Sequence, residues 1–159
     1  MEAFSVRILA SDHPFYEGEC FSLVIPTPNG MYGIRARHSN MIAAVVPGTL
    51  QYQTKPDSLQ EAAVSEELVK VENGEVLILV DTAERPEEID ANRARRKADE
   101  AKEALLQKKS IQEYREAEAT LARALTRLRV KKAITCKTKI FGKLKNIQAV
   151  LATWMFFYY

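Results

Sequence analysis

Cysteine is scarce in this chain of 159 residues: only Cys20 and Cys136 occur, far apart and without a paired motif around either. That excludes a disulfide framework and a cysteine zinc site, and it fits a reducing compartment. Of two histidines, His38 follows Arg35-Ala-Arg37 with no second ligand at metal spacing, and reads as a surface residue. His13 and Asp12 flank a proline turn and read as structural. Long apolar runs are missing too, since no window reaches the roughly 18 to 20 residues of a membrane span. The opening Met-Glu-Ala-Phe-Ser has no basic region ahead of an apolar run, so no secretory signal is expected. Gly30-Met-Tyr-Gly33 has neither the lysine nor the spacing of a phosphate-cradling loop. No nucleophile elbow can be read around any serine, and no enzyme site is expected.

The net charge of +2 conceals a division. Residues 1–85 carry 12 acids and 6 bases, whereas residues 86–159 carry 9 acids and 17 bases. Opposed halves point to two units with different partners. The first half reads as short strands. Phe4, Val6 and Ile8 alternate with Ser5 and Arg7 from Phe4 to Leu9, the period of a strand with one buried face. Further runs cover Glu19 to Ile25, ended by Pro26, Pro28 and Asn29-Gly30, and Met41 to Val46, ended by Pro47-Gly48. Leu50 to Thr54 and Ala62 to Val64 suggest a hairpin with a long polar loop. Leu68 to Glu72 and Val76 to Val80 flank Asn73-Gly74, a strong tight-hairpin signal. Strands and turns at this density predict an antiparallel β-sandwich or barrel over residues 1–85.

Pro86 with Glu87 and Glu88 predicts a helix start, with acids at the positive end of its dipole. Ala91, Ala94, Ala98, Ala101 and Leu105 form a narrow apolar seam of small residues. Lys108-Lys109 ends that helix, and Ser110-Ile-Gln-Glu113 is a capping box opening a second. Tyr114, Ala117, Leu121, Ala124 and Leu128 repeat the seam, so residues 86–132 predict an antiparallel two-helix hairpin. A seam this poor in area is marginal alone and needs a surface to rest on. Residues 133–159 form a tail that is basic and then aromatic, ending Trp-Met-Phe-Phe-Tyr-Tyr.

A hairpin turning near Lys109 sets position i opposite about 218 − i. Arg93, Arg123 and Arg127 then converge, with Asp90 one turn from Arg93. Three guanidiniums repel one another and suit a triphosphate through forked hydrogen bonds. A solvated helix face explains the same spacing, each ion pair contributing only a few tenths of a kcal/mol. The basic stretch Arg123 to Lys145 fits nucleic acid, an anionic membrane surface or an acidic protein. A basic helical module of that kind is the alternative reading.

Val76-Leu-Ile-Leu-Val-Asp-Thr-Ala-Glu-Arg-Pro-Glu-Glu-Ile-Asp-Ala-Asn-Arg-Ala94 resembles the join between sandwich and hairpin in the epsilon subunits of bacterial F-type ATP synthases. Gly30-Met-Tyr-Gly-Ile34 with His38, Val46-Pro-Gly-Thr-Leu50, and Leu121-Ala-Arg-Ala-Leu-Thr-Arg-Leu-Arg-Val130 extend the resemblance to about residues 3–132. It implies a ten-stranded β-sandwich carrying two helices in a non-catalytic rotor subunit of a proton-translocating synthase, peripheral to the cytoplasmic face of the plasma membrane. The implied partners are the gamma subunit and the c-ring, near Met31, Tyr32 and His38. The beta and alpha subunits of the catalytic head are also implied, beta near Arg115, Arg123 and Arg127, and no nucleic acid is expected. The implied hairpin moves between a compact state and an extended state that inhibits ATP hydrolysis. No cofactor is required, but ATP is implied as a regulatory ligand at Asp90, Arg93, Arg123 and Arg127. The chain departs from the family at Glu100, where ATP-binding members carry arginine, at Met31, at Arg35-Ala-Arg37 and at Ser65-Glu-Glu67.

Overall fold

The computed structural model of the protein describes residues 2–107 and 110–133. The Lys108-Lys109 turn, and the expected tail beyond Ala133, lie outside the described residues. Ten strands come first: β1 (Phe4–Ala10), β2 (Pro14–Cys20), β3 (Ser22–Thr27), β4 (Gly30–Ile34), β5 (Met41–Val45), β6 (Gly48–Lys55), β7 (Ser58–Val64), β8 (Glu67–Glu72), β9 (Glu75–Val80) and β10 (Ala83–Glu84). Helix α1 (Ala91–Leu106) follows, and α2 covers residues 111–133 as far as the chain is described.

The strands form two five-stranded sheets, in the orders β2-β1-β9-β8-β5 and β10-β7-β6-β3-β4. All the pairings are antiparallel except β1 with β9, which lie parallel. The period-2 faces meet as the sequence predicts: Phe4, Val6 and Ile8 of β1 and Val76, Ile78 and Val80 of β9 are buried. They pack with Leu23, Ile25, Leu50 and Tyr52 of the second sheet in one continuous core. Asn73 and Gly74 both take positive φ, 52° and 83°, joining β8 to β9 through a two-residue turn that suits the strands' twist.

Four sequence expectations change. The run Glu19 to Ile25 is not one strand: Cys20 pairs with Phe4 in the first sheet, while Ser22 pairs with Gln53 in the second. The chain therefore crosses between sheets at Phe21, which no local pattern announces. Pro26 does not end β3, because β3 pairs with β6 only through Ser22 to Val24, so the missing N–H breaks no ladder bond there. Gly30 to Ile34, to which the sequence pattern assigns no strand, is the edge strand β4, four of whose five residues are exposed. The β6–β7 connection is also shorter than expected, Lys55 pairing with Ser58 across Pro56-Asp57.

Candidate functional site

The joint between sheet and helices is built by local hydrogen bonds. Strand β10 pairs Glu84 with Ala63 of β7, fixing the Glu84 carboxylate on the sheet edge. The next residues make a turn rather than the helix start expected at Pro86. The Arg85 N–H donates to the Glu88 carboxylate at 2.9 Å, and the Glu88 N–H donates to the Arg85 carbonyl at 3.0 Å. The Arg85 guanidinium lies 4.9 Å over the Phe15 ring. Helix α1 begins at Ala91 because Asp90 captures two orphan N–H groups, those of Asn92 at 2.9 Å and Arg93 at 3.1 Å. Those bonds, Arg93's first, hold the Asp90 carboxyl below the usual range.

The small-residue seam forms as predicted on α1, where Ala94, Ala98 and Ala101 are buried. The Ser110–Glu113 capping box also forms: the Glu113 carboxylate accepts the Ser110 N–H at 3.0 Å, and the Ser110 hydroxyl accepts the Glu113 N–H at 3.3 Å. Tyr114, expected in the seam, is exposed, whereas Ala124 is buried. A second buried face, Thr126 and Val130, turns α2 onto the sandwich, where Val130 packs with Ala63 and Ile89.

Asp90, Arg93 and Arg127 do converge. They line one hollow of about 200 Å³ with Glu84, Glu88, Ala94 and Lys97. Arg123 does not join them. Its Nη1 donates to the Glu66 carboxylate at 3.1 Å and its Nη2 to the Thr120 hydroxyl at 3.4 Å, beside a small recess with Ser65, Thr82 and Thr126. Arg127 is already engaged as well: Nε donates to both Glu84 oxygens at 2.9 Å and Nη2 to Oε1 at 2.6 Å. The hollow thus holds three carboxylates against three cations, a balance that the arginines alone did not disclose. Arg93 and Lys97 are exposed and carry no ion pair among the described residues. Lys97 could have been found from its position one turn beyond Arg93. Glu66 and Glu84 could not, because their partners lie 57 and 43 residues away.

Of the residues named for the beta contact, Arg115 is exposed without an ion pair among the described residues, and Arg123 and Arg127 face the sandwich. Met31 and Tyr32 stand on β4, 56% and 40% exposed. The His38 Nδ1–H donates to the Ser39 carbonyl at 2.8 Å, so Nε2 accepts from the Tyr32 hydroxyl at 3.0 Å. Tyr32 and His38 are therefore hydrogen-bonded to each other at a sheet edge, with Met31 exposed beside Tyr32 on the same strand. Ile42 on β5, at the edge of the other sheet, is 72% exposed. No group of side chains among the described residues could hold a metal ion, and no described helix is long and apolar enough to cross a membrane.

Comparison with known proteins matches the chain to two family models. Residues 3–86 match the family model of the ATP synthase delta/epsilon chain β-sandwich domain, and residues 87–132 match that of its long α-helix domain. An ATP synthase epsilon chain of Ruminiclostridium cellulolyticum is 38% identical over 128 residues, covering 80% of this chain and 95% of the relative. One from Caldanaerobacter subterraneus subsp. tengcongensis is 39% identical over 130 residues, covering 81% and 94%. Among solved structures, a chain of the Euglena gracilis mitochondrial ATP synthase (OSCP, F1 and c-ring) superposes with a TM-score of 0.69 at 19% identity, covering 84% of this chain and 81% of that one. A chain from the Tetrahymena thermophila mitochondrial ATP synthase central stalk and c-ring gives 0.59 at 11% identity, covering 80% and 95%. At those identities the likeness is one of fold.

Proposed function

The chain belongs to the delta/epsilon family of ATP synthase subunits, and from that premise we propose a non-catalytic epsilon subunit of the central stalk. In this reading the sandwich joins gamma to the c-ring, through a face including Met31, Tyr32 and His38. The helical hairpin restrains ATP hydrolysis by leaving the sandwich and entering the catalytic head. The whole acts as a peripheral part of a membrane-associated complex.

One observation carries the reading: the surface that holds α2 to the sandwich is narrow and polar. Its buried apolar cluster is Ala63, Ile89 and Val130. The rest is polar: the buried Thr126, Arg123 on Glu66, Arg127 on Glu84, and the Lys131 ammonium donating to the Pro86 and Glu87 carbonyls at 2.9 and 3.4 Å. Contacts of that kind keep most of their polar groups satisfied by water when they part, so separation costs little. A wide apolar interface would instead scale with its area at about 25 cal/mol per Å² and would not open on a regulatory timescale.

Deleting residues 87–159 from the assembled complex is expected to raise ATP hydrolysis several-fold while assembly and ATP synthesis persist. Failure to assemble, or unchanged hydrolysis, would count against a hairpin brake. ATP is proposed as a regulatory ligand of the hollow lined by Asp90, Arg93 and Arg127, with the unpaired charges of Arg93 and Lys97 as its point of entry. Arg123, turned to Glu66, would have to swing across to take part. Calorimetric titration of ATP into the full chain should give a binding isotherm that Arg93→Ala abolishes; equal heats for both proteins would remove ATP from the account.

The alternative, a basic helix for nucleic acid or anionic lipid, keeps only Arg129 and Lys132 as exposed cations in the described part of its stretch. Arg123, Arg127 and Lys131 are all engaged by acceptors of the same chain.

A further inference from the structure

Arg123, Arg127 and Lys131 follow at four-residue intervals, so they stand one above another on a single face of α2. Each finds an acceptor on the body it rests on. Glu84 is anchored by the β10–β7 ladder, and Glu66 sits in the short link between β7 and β8, whose Ser65 hydroxyl accepts the Thr82 N–H at 2.9 Å. Both acids are therefore presented by rigid backbone, whereas the cations arrive on a helix. The Arg127–Glu84 pair is forked and mostly shielded, its side chains 21% and 31% exposed. The Arg123–Glu66 pair is wetter, at 28% and 49%. Forked, shielded pairs are the stronger and less screened kind.

We propose that Glu66 and Glu84 form a carboxylate latch that fills the anion positions of the α2 arginines, so that the hairpin of this chain docks without a bound nucleotide. An acidic protein surface or a phosphate competing for the same guanidinium groups releases it. The proposal rests on the reading of the hairpin as a mobile element and assigns what holds it. Glu84 is then the positioning residue of greatest weight, because it occupies Nε and Nη2 of Arg127, the forked edge that a triphosphate in the same hollow would otherwise take. Glu66 adds a weaker second hold one helical turn away, at Arg123 on the same face. Docking strength becomes a property of ionic strength, since the latch is charge on charge with a small apolar complement.

The test is hydrogen exchange of the full chain, following amides of residues 111–133 with those of β9 as the internal standard. Glutamine keeps the shape and removes the charge, so Glu84→Gln should speed exchange in α2 by about tenfold, and Glu66→Gln by about two- to threefold. About 0.5 M salt, where screening acts over a few Å, should do to the natural chain what Glu66→Gln does at low salt, because the wetter pair is the one it screens, and should add nothing to the double variant. Reversing the pair, Glu84→Arg with Arg127→Glu, should restore protection. Unchanged exchange in the double variant overturns the latch, as does a rise shared equally by β9. The proposals fail separately: hydrolysis indifferent to loss of the hairpin would end the brake and leave the latch as a fixed clamp.

Discussion

A complex whose hairpin is tied to the sandwich by a disulfide should hydrolyse ATP as fast as one that has lost the hairpin. Ala63 and Val130 share one buried cluster across the joint, which makes them the natural pair for Ala63→Cys and Val130→Cys, with Cys136→Ser to remove one of the two native thiols. Cys20 needs no change. It is buried in the sandwich core, and burial raises its thiol pKa, so little of the attacking thiolate is present. Oxidation would convert a reversible contact into the docked state alone, which is the largest shift a two-state element can undergo. Reduction should return inhibition within the same preparation, a control that deletion cannot offer. An oxidised complex that stays inhibited would show that the restraint does not require the hairpin to leave.

The largest loss of stability is expected at Tyr52. It is 1% exposed at the middle of β6, where its ring meets Phe15 at 6.3 Å edge-on and Tyr16 at 5.1 Å. Those partners belong to β2, so the cluster ties one sheet to the other. Burial raises the Tyr52 hydroxyl pKa while the nearby Arg85 pulls it down, so the joint to the helices reaches into the same cluster. Tyr52→Ala removes the ring and leaves a cavity between packed sheets, and should cost about 3 to 5 kcal/mol by urea unfolding. Part of that is the aromatic pairing itself, about 0.5 to 1.5 kcal/mol beyond the area term. Tyr52→Phe keeps the ring and should lose about 1 kcal/mol with its hydroxyl contacts. A loss below about 1 kcal/mol for the alanine variant would mean the sheets are held elsewhere.

What the sequence disclosed and what it hid divide along a physical line. Asn73-Gly74, the Ser110–Glu113 box and the alanine seam of α1 were all legible, because each is satisfied within a few residues of itself. The edge strand β4 was not, since Gly30, Met31, Tyr32 and Gly33 are all exposed and carry no alternation of buried and open positions. Nor was the true start of α1. The acids after Pro86 suit a first helical turn, but Glu88 bonds back to Arg85 and Asp90 takes the cap. At the candidate site, helical spacing brought Asp90, Arg93 and Arg127 together correctly and sent Arg123 to the wrong side.

By itself, the order of residues determined a strand-rich half followed by two matched helices, because hydrophobic period and turn chemistry are local quantities. Which charges meet was decided only when the chain closed up. Glu66 and Glu84 lie dozens of positions from their arginines, and an ion pair forms between side chains that the backbone has already brought within reach, whatever the spacing between them along the chain.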